Sequence, residues 1–195
     1  MTSETSYLLV GLGNPGREYR DSRHNAGFML IDMIAIRLNA RGMKMQSKAL
    51  VMTTTYEDRK LILAKPQTYM NLSGQSVQGL VHFYKLPLTN VMIFSDDLDL
   101  PFGTIRIRAS GGPGGQGGLT SILERLGTKD VPRLRLGIGR PPGRMDPAHY
   151  VLQNFSSYEL QSISEILDRA ADATLTFVTD GLEKAMNKFN GGIKD

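Results

Sequence analysis

The sequence predicts an α/β fold, a single-domain, three-layer sandwich in which helices flank a central mixed β-sheet. Short apolar segments alternate with segments whose apolar residues recur at helical spacing. Two of the apolar segments are neighbours and predict a hairpin, so the sheet is expected to be mixed rather than purely parallel. No linker or internal repeat divides the 195 residues, and we therefore expect one domain over residues 1–195.

The first strand and the first helix flank a polar segment. Residues 7–10 are an apolar run that ends at a glycine cluster, which is typical of a buried strand. A polar, arginine-rich stretch over residues 16–25 follows. A helix is expected next, with Gly42 as its end. Its apolar stripe consists of Phe28, Ile31, Ile34 and Leu38.

The middle of the chain predicts a hairpin, then a helix and another strand. Residues 50–56 and 60–65 are rich in β-branched and apolar side chains and are separated by a short polar turn. Pro66 breaks the second of these strands. Ser73 is expected to cap the helix, and residues 91–94 predict a strand that leads to a pair of aspartates.

The last part of the chain predicts a basic strand, a glycine-rich loop and a long helix. Residues 105–108 alternate isoleucine with arginine, which predicts a strand with one solvent-exposed basic face. The glycine-rich segment 111–118 precedes a short helix around residues 122–126 and a strand over residues 134–138. A capping-box pattern then opens a long amphipathic helix, expected to bend near Gly181. The capping pair and the apolar stripe of this helix are Ser156, Glu159, Leu160, Ile163, Leu167, Ala170, Thr174, Phe177 and Val178.

The composition limits the compartment and the partners. The chain contains no cysteine, which excludes disulfides, thiolate metal sites and a cysteine nucleophile, and fits a reducing compartment. No apolar run is long enough to span a bilayer, and residues 1–6 lack the features of a signal peptide, so we expect a cytoplasmic protein without a membrane partner. The net charge of +4 favours polyanionic partners. A mildly basic protein without a nucleic-acid partner would have the same charge.

A glycine motif after the first strand matches a dinucleotide-binding pattern. Residues 11–16 read G-x-G-x-x-G, which taken alone indicates a nicotinamide or flavin site. Such a motif should open a helix that packs on the sheet, but residues 17–23 have no apolar stripe. Asp32 has the right distance for a ribose contact, yet it belongs to a helical pattern. We therefore expect the glycines to provide a sharp turn and a close approach to a ligand.

Two polar side chains are candidates for chemistry. Of the three histidines, His82 lies beside apolar residues of a predicted helix and His149 lies in a predicted loop. His24 lies in the polar segment just after the glycine turn and is the best candidate for a general base, since imidazole titrates near neutral pH. The alternative is that His24 has a purely structural role in its loop. Asn71 carries a donor and an acceptor that suit a peptide bond or an oxyanion, or it caps the helix near Ser73.

A run of carboxylates follows the strand predicted over residues 91–94. Ligands of α/β folds collect at the carboxyl ends of strands, so Asp96, Asp97 and Asp99 are candidate site residues. They allow three interpretations: a magnesium site, turn chemistry, or a carboxylate that binds the imidazole of His24 and fixes its tautomer. The sequence spacing does not choose among them.

Taken together, these segments resemble the bacterial peptidyl-tRNA hydrolase family along nearly the whole chain. The combination of motifs in this order is highly specific, whereas the glycine motif alone is not. The matching blocks are residues 10–16, 18–19, 23–27, 65–74, 96–101, 111–118, 135–139 and 177–185.

The resemblance implies an esterase that cuts the bond between a peptide and the ribose of its tRNA. It implies that His24 is the base that activates water and that Asp96 is its partner. It also implies a monomer whose partner is peptidyl-tRNA and that needs no metal, cofactor or protein partner. The implied peptide-binding residues are Asn14, Tyr19, Met70 and Asn71, and the tRNA-binding residues are Arg106, Arg108 and Arg135.

The glycine-rich loop departs from the family pattern. The family usually carries asparagine near the end of this loop, often as histidine, asparagine and glycine, where this chain has Gln116, Gly117 and Gly118. Gln116 and Gly117 are therefore the candidate substrate-binding positions of the loop. Either Gln116 takes the place of the asparagine, or that contact is dispensable, or activity is reduced. The alternative function is a catalytically weak RNA-binding module of the same fold, similar to a related plant group that serves RNA splicing.

Overall fold

The computed structural model describes residues 5–191, which form one seven-stranded sheet with helices on both faces. The strands are β1 (Ser6–Gly11), β2 (Arg41–Gln46), β3 (Ala49–Tyr56), β4 (Arg59–Pro66), β5 (Val91–Asp97), β6 (Ile105–Arg108) and β7 (Arg133–Gly137). The helices are α1 (Ala26–Arg37), α2 (Ser73–Tyr84), α3 (Gly117–Leu126), α4 (Pro147–Leu152), α5 (Ser157–Asp180) and α6 (Leu182–Phe189). No helix among these residues is long and apolar enough to cross a membrane.

The sheet is mixed, as predicted. Its strand order is β2-β3-β4-β1-β5-β7-β6. β1 runs parallel to both β4 and β5, and β5 runs parallel to β7. The predicted hairpin is β3 and β4, and the edge strands β2 and β6 are also antiparallel to their neighbours. The carboxyl ends of β1, β4, β5 and β7 therefore lie at one edge of the sheet, where ligands of such folds bind.

Two apolar clusters cover the two faces of the sheet. Side chains alternate along β1, so that Leu9 packs on the side of α1 and α5, whereas Leu8 and Val10 pack on the side of α2 and α3. All three side chains are fully buried. This arrangement is the predicted single-domain, three-layer α/β sandwich.

The first helix is shorter than predicted, and a strand follows it. α1 ends at Arg37, and Asn39 adopts a left-handed backbone conformation that asparagine tolerates. Gly42 therefore does not end the helix; it lies in the edge strand β2. Five of the six β2 residues are exposed, so this strand lacks the apolar alternation that reveals a half-buried strand in a sequence.

The ends of the other helices confirm one predicted cap and correct two expectations. Ser156 and Glu159 form the predicted capping box at the start of α5. Ser73 does not cap α2, because its hydroxyl donates a hydrogen bond to the carbonyl oxygen of Met70, at 2.7 Å, in the preceding 3-10 turn. The long C-terminal helix does not bend at Gly181 but ends there: Gly181 has a φ of 94° and separates α5 from α6.

Candidate active site

A cleft of 540 Å³ opens at the carboxyl ends of the parallel strands. Its polar wall combines residues from the turn after β1, the end of β5 and the glycine-rich loop, and α4 supplies an apolar wall. α4 was not predicted, and His149 lies exposed on it rather than in a loop. Asp146 caps this helix and Pro147 occupies its first turn, a start signal that the sequence did contain. The predicted site residues that line the cleft are Asn14, His24, Asp96, Gln116, Gly117 and Arg135.

The glycine at the end of β1 serves close packing. A side chain at Gly11 would overlap the carbonyl oxygen of Gly27 in α1, so the first turn of this helix lies directly against the strand. Two short 3-10 turns, Arg17–Tyr19 and Arg23–Asn25, occupy the place where a dinucleotide fold would have its helix. The second of these turns carries His24 to the end of β5.

His24 and Asp96 form a hydrogen-bonded pair in the wall of the cleft. The imidazole Nδ1 lies 2.8 Å from the carboxylate Oδ2, and the side chains are 15% and 3% exposed. Burial of the imidazole disfavours its charged form, but the charge of Asp96 and its hydrogen bond outweigh this effect and raise the pKa of His24 above its ordinary value. Because Nδ1 donates its proton to Asp96, Nε2 is the basic nitrogen.

A largely buried ion pair holds the segment that carries His24. The guanidinium of Arg23 donates to Glu159 Oε2 at 2.6 Å and lies 4.2 Å from the ring centroid of Tyr150. The backbone N–H of Arg23 also donates to the carbonyl of Gln153. Burial would raise the pKa of Glu159, but its hydrogen bonds with Arg23 and Ser156 lower it. Sequence reasoning recognised Glu159 as a cap but missed this pair, because 136 residues separate its two members.

Asn14 is fixed by three hydrogen bonds. Its Oδ1 accepts from the backbone N–H of Met70 at 2.9 Å. Its backbone N–H donates to Oδ1 of Asn25, and its carbonyl accepts from Nδ2 of the same residue. Within residues 5–191, no group accepts a hydrogen bond from Nδ2 of Asn14, and Asn14 is one of the residues that line the cleft.

Five other predicted site residues lie outside the cleft lining. Met70 is buried, and its sulfur lies 3.3 Å from the Gln116 amide nitrogen. Asn71 is exposed on the 3-10 turn Met70–Leu72, and Tyr19 is half-buried on the turn after Gly16. Arg106 and Arg108 lie on β6, beside the cleft rather than in it.

The three carboxylates that were candidates for a magnesium site have separate partners. Asp96 pairs with His24, Asp97 forms a 2.7 Å ion pair with Arg135, and Asp99 pairs with Arg140. In the described part of the chain, no group of three or more histidine, aspartate or glutamate side chains is close enough to hold a metal ion. The contact between Asp96 and His24 agrees with the interpretation in which Asp96 binds the imidazole, and the turn interpretation applies to Asp97, whose Oδ1 accepts from the backbone N–H of Asp99 at 2.8 Å.

A model of a known family, described as peptidyl-tRNA hydrolase, matches residues 8–195. The chain belongs to the peptidyl-tRNA hydrolase family. A peptidyl-tRNA hydrolase from Mycobacterium marinum is 50% identical over 182 residues, which cover 93% of this chain and 95% of the relative. A peptidyl-tRNA hydrolase from Rhodococcus jostii is 47% identical, and the match covers 96% of this chain and 100% of the relative. The crystal structure of the Acinetobacter baumannii peptidyl-tRNA hydrolase superposes with a TM-score of 0.88 at 32% identity, covering 97% of this chain and 98% of that one.

Membership of the peptidyl-tRNA hydrolase family decides between the two functions considered for the sequence. The chain is a hydrolase of the peptidyl-tRNA ester bond, and its substrate class is peptidyl-tRNA. The splicing-type RNA-binding alternative is not favoured, because these relatives are named as hydrolases and the match covers nearly the whole chain.

Proposed function

We propose that this peptidyl-tRNA hydrolase cleaves its substrate by metal-independent general-base catalysis at His24. The 2.8 Å contact between His24 and Asp96 at the wall of the cleft carries the proposal. Nε2 of His24 takes a proton from a water molecule as this water attacks the ester carbonyl carbon. The tetrahedral intermediate then expels the ribose oxygen, which receives the proton back from His24. Hydrolysis of an N-blocked aminoacyl-tRNA by the purified chain tests the proposal.

Amide groups around the cleft are proposed to bind the peptide side of the ester. Asn14 Nδ2 is a free donor at the cleft wall, held by rigid contacts, and suits the carbonyl oxygen on which negative charge develops. The backbone N–H of Met70 donates to Asn14, so the turn that carries Asn71 lies next to Asn14. The exposed amide of Asn71 is proposed to bind the peptide where the peptide leaves the cleft. Tyr19 and the buried Met70 flank the same region.

The arginine face of β6 and β7 is proposed to bind the tRNA. Arg106 lies opposite Arg135 in the antiparallel register, and Arg108 lies opposite Arg133. Arg135 also lines the cleft, so the basic face continues from the candidate catalytic pair toward the outer edge of the sheet. Arg133 is buried and donates to the carbonyl oxygens of Gly111 and Lys129, so its role is to hold the glycine-rich loop.

We expect the double change Arg106→Ala and Arg108→Ala to raise KM for peptidyl-tRNA several-fold. It should also reduce the slope of log KM against log salt by roughly 1.4–1.8 if each arginine neutralises one phosphate. A minimal ester substrate without the tRNA body should be cleaved at the wild-type rate. The matched control is Arg41→Ala with Lys44→Ala, which removes two exposed charges from the opposite edge strand. An unchanged salt slope in the β6 variant would mean that these arginines serve only the solubility of an edge strand.

A substitution at Gly117 tests whether activity depends on the asparagine that the family usually has at this position. A Cβ atom added at Gly117 would meet no other atom within 4 Å, and this residue lines the cleft as the first residue of α3. We expect Gly117→Asn to fold normally and to raise kcat/KM about 2–10-fold through one added hydrogen bond. Gly117→Ala is the control for the added carbon alone. Equal activity of the two variants would mean that the asparagine contact is dispensable.

The remaining proposals concern assembly and location. We propose a monomer without a required protein partner, because a single copy of the chain brings His24, Asp96 and Asn14 together in the cleft. A translation enzyme of this kind is expected in the cytoplasm, where peptidyl-tRNA forms. Light scattering at assay concentrations tests the oligomeric state, and activity that rises with self-association would contradict the monomer.

A further inference from the structure

Gln116 uses both ends of its side-chain amide inside the protein. The residue is 8% exposed and is the N-cap of α3, where its Oε1 accepts a hydrogen bond from the backbone N–H of Leu119 at 2.7 Å. Its Nε2 donates to Oδ1 of Asp96 at 3.1 Å. Nε2 also lies 3.3 Å from the sulfur of Met70, so both amide N–H groups have acceptors inside the protein and the side chain has no free donor to offer in place of the missing asparagine.

These two contacts determine the orientation of the amide. If the oxygen and nitrogen were exchanged, the amide NH₂ would face the N–H of Leu119 and the amide oxygen would face a carboxylate oxygen, and both contacts would be repulsive. The hydrogen bond from Leu119 to Oε1 therefore directs the Nε2 donor of Gln116 at Asp96. The carboxylate of Asp96 is held through both oxygens, Oδ1 by Gln116 and Oδ2 by His24.

We propose that Gln116 is a positioning residue, which holds the carboxylate of Asp96 in the plane that lets it bind and orient His24. The inference rests on the proposed roles of His24 and Asp96. Gln116 then acts on catalysis through Asp96 and not by touching the substrate, which replaces the substrate-binding role considered for it from the sequence. A carboxylate with only one fixed oxygen rotates more freely about its Cβ–Cγ bond, so the imidazole loses part of its orientation.

The variant Gln116→Ser separates this role from helix capping. Serine is among the best N-cap residues, so α3 keeps its cap, but its hydroxyl is too short to reach Asp96. We expect kcat to fall about 10–100-fold, as for the loss of a hydrogen bond to a charged group, with KM changed by less than about twofold. Gln116→His, which introduces a longer N–H donor, should recover most of this loss. The control is Gln78→Ser, which removes a glutamine bond to the carbonyl of Arg125 at the other end of α3 and should leave kcat unchanged.

A double-mutant cycle identifies the route of the effect. In an Asp96→Ala background, Gln116→Ser should cost less than about twofold in kcat, because no side-chain oxygen is left at position 96 for Gln116 to hold. Wild-type kcat in folded Gln116→Ser, a raised KM at constant kcat, or a fully additive loss in the cycle would each overturn the inference. The proposed function fails on a different result, namely wild-type chain that does not hydrolyse the substrate at all.

Discussion

The variant His24→Ala is expected to fold and to lose activity by about 10²–10⁴-fold, the usual contribution of a general base. His24 lines the cleft and its side chain is 15% exposed, so its removal leaves the two apolar clusters untouched. The loss should appear in kcat, because the water is activated only in the chemical step. The measurement is kcat and KM on an N-blocked aminoacyl-tRNA, with the melting temperature as the check on folding.

His82→Ala is the matched control for this experiment. His82 lies on α2 and does not line the cleft, so its replacement should leave kcat unchanged. Turnover near the wild-type rate in a folded His24→Ala protein would contradict the assignment of the base.

The variant Asp96→Asn is expected to lower kcat by about 10²-fold and to change the pH profile. The new amide oxygen would accept from Gln116, which directs the new NH₂ at Nδ1 of His24. Nδ1 must then act as an acceptor and Nε2 carries the proton, which is the wrong tautomer for a base that faces the cleft.

The direction of the pH shift follows from the charge of Asp96. Because Asp96 raises the pKa of His24, the wild-type base becomes protonated and inactive already below that raised pKa. Without the negative charge, the residual activity should persist to lower pH, so the acid limb moves downward. Asp99→Asn, at an exposed carboxylate paired with Arg140, should leave the profile unchanged. An acid limb that stays at the wild-type pH would contradict the role of Asp96. Loss of wild-type activity in EDTA would contradict metal-independent catalysis.

Periodicity predicted the parts of the fold in which burial follows a local pattern. These parts are the apolar run of β1, the alternation in β6, the hairpin β3–β4 and the capping box of α5, because each depends on residues that are close together in the sequence. The edge strand β2 was missed because an exposed strand buries no regular face. The break at Gly181 was predicted as a bend, because the apolar pattern alone does not report backbone dihedral angles.

The candidate site was predictable where residue type and motif were sufficient. The chemistry of imidazole singled out His24, and the family resemblance implied Asp96 as its partner. Residue spacing alone left three interpretations of Asp96, because 72 residues separate the two side chains in the sequence. Gln116 was predicted as a substrate contact from the family pattern alone. Its hydrogen bonds to Asp96 and Leu119 were not predicted, because they depend on how α3 packs against β5. The largely buried pair of Arg23 and Glu159 depends in the same way on how α5 lies against the 3-10 turn Arg23–Asn25.

The most direct test of the proposed mechanism is hydrolysis of an N-blocked aminoacyl-tRNA by the purified chain in the presence of EDTA. Wild-type protein should release free tRNA and the blocked amino acid with turnover, and the chelator should have no effect. His24→Ala protein should bind the same substrate with a similar affinity and release about 10²–10⁴-fold less product per unit time. Wild-type protein that binds the substrate but releases no product, or that loses its activity in EDTA, would contradict metal-independent catalysis by the His24–Asp96 pair.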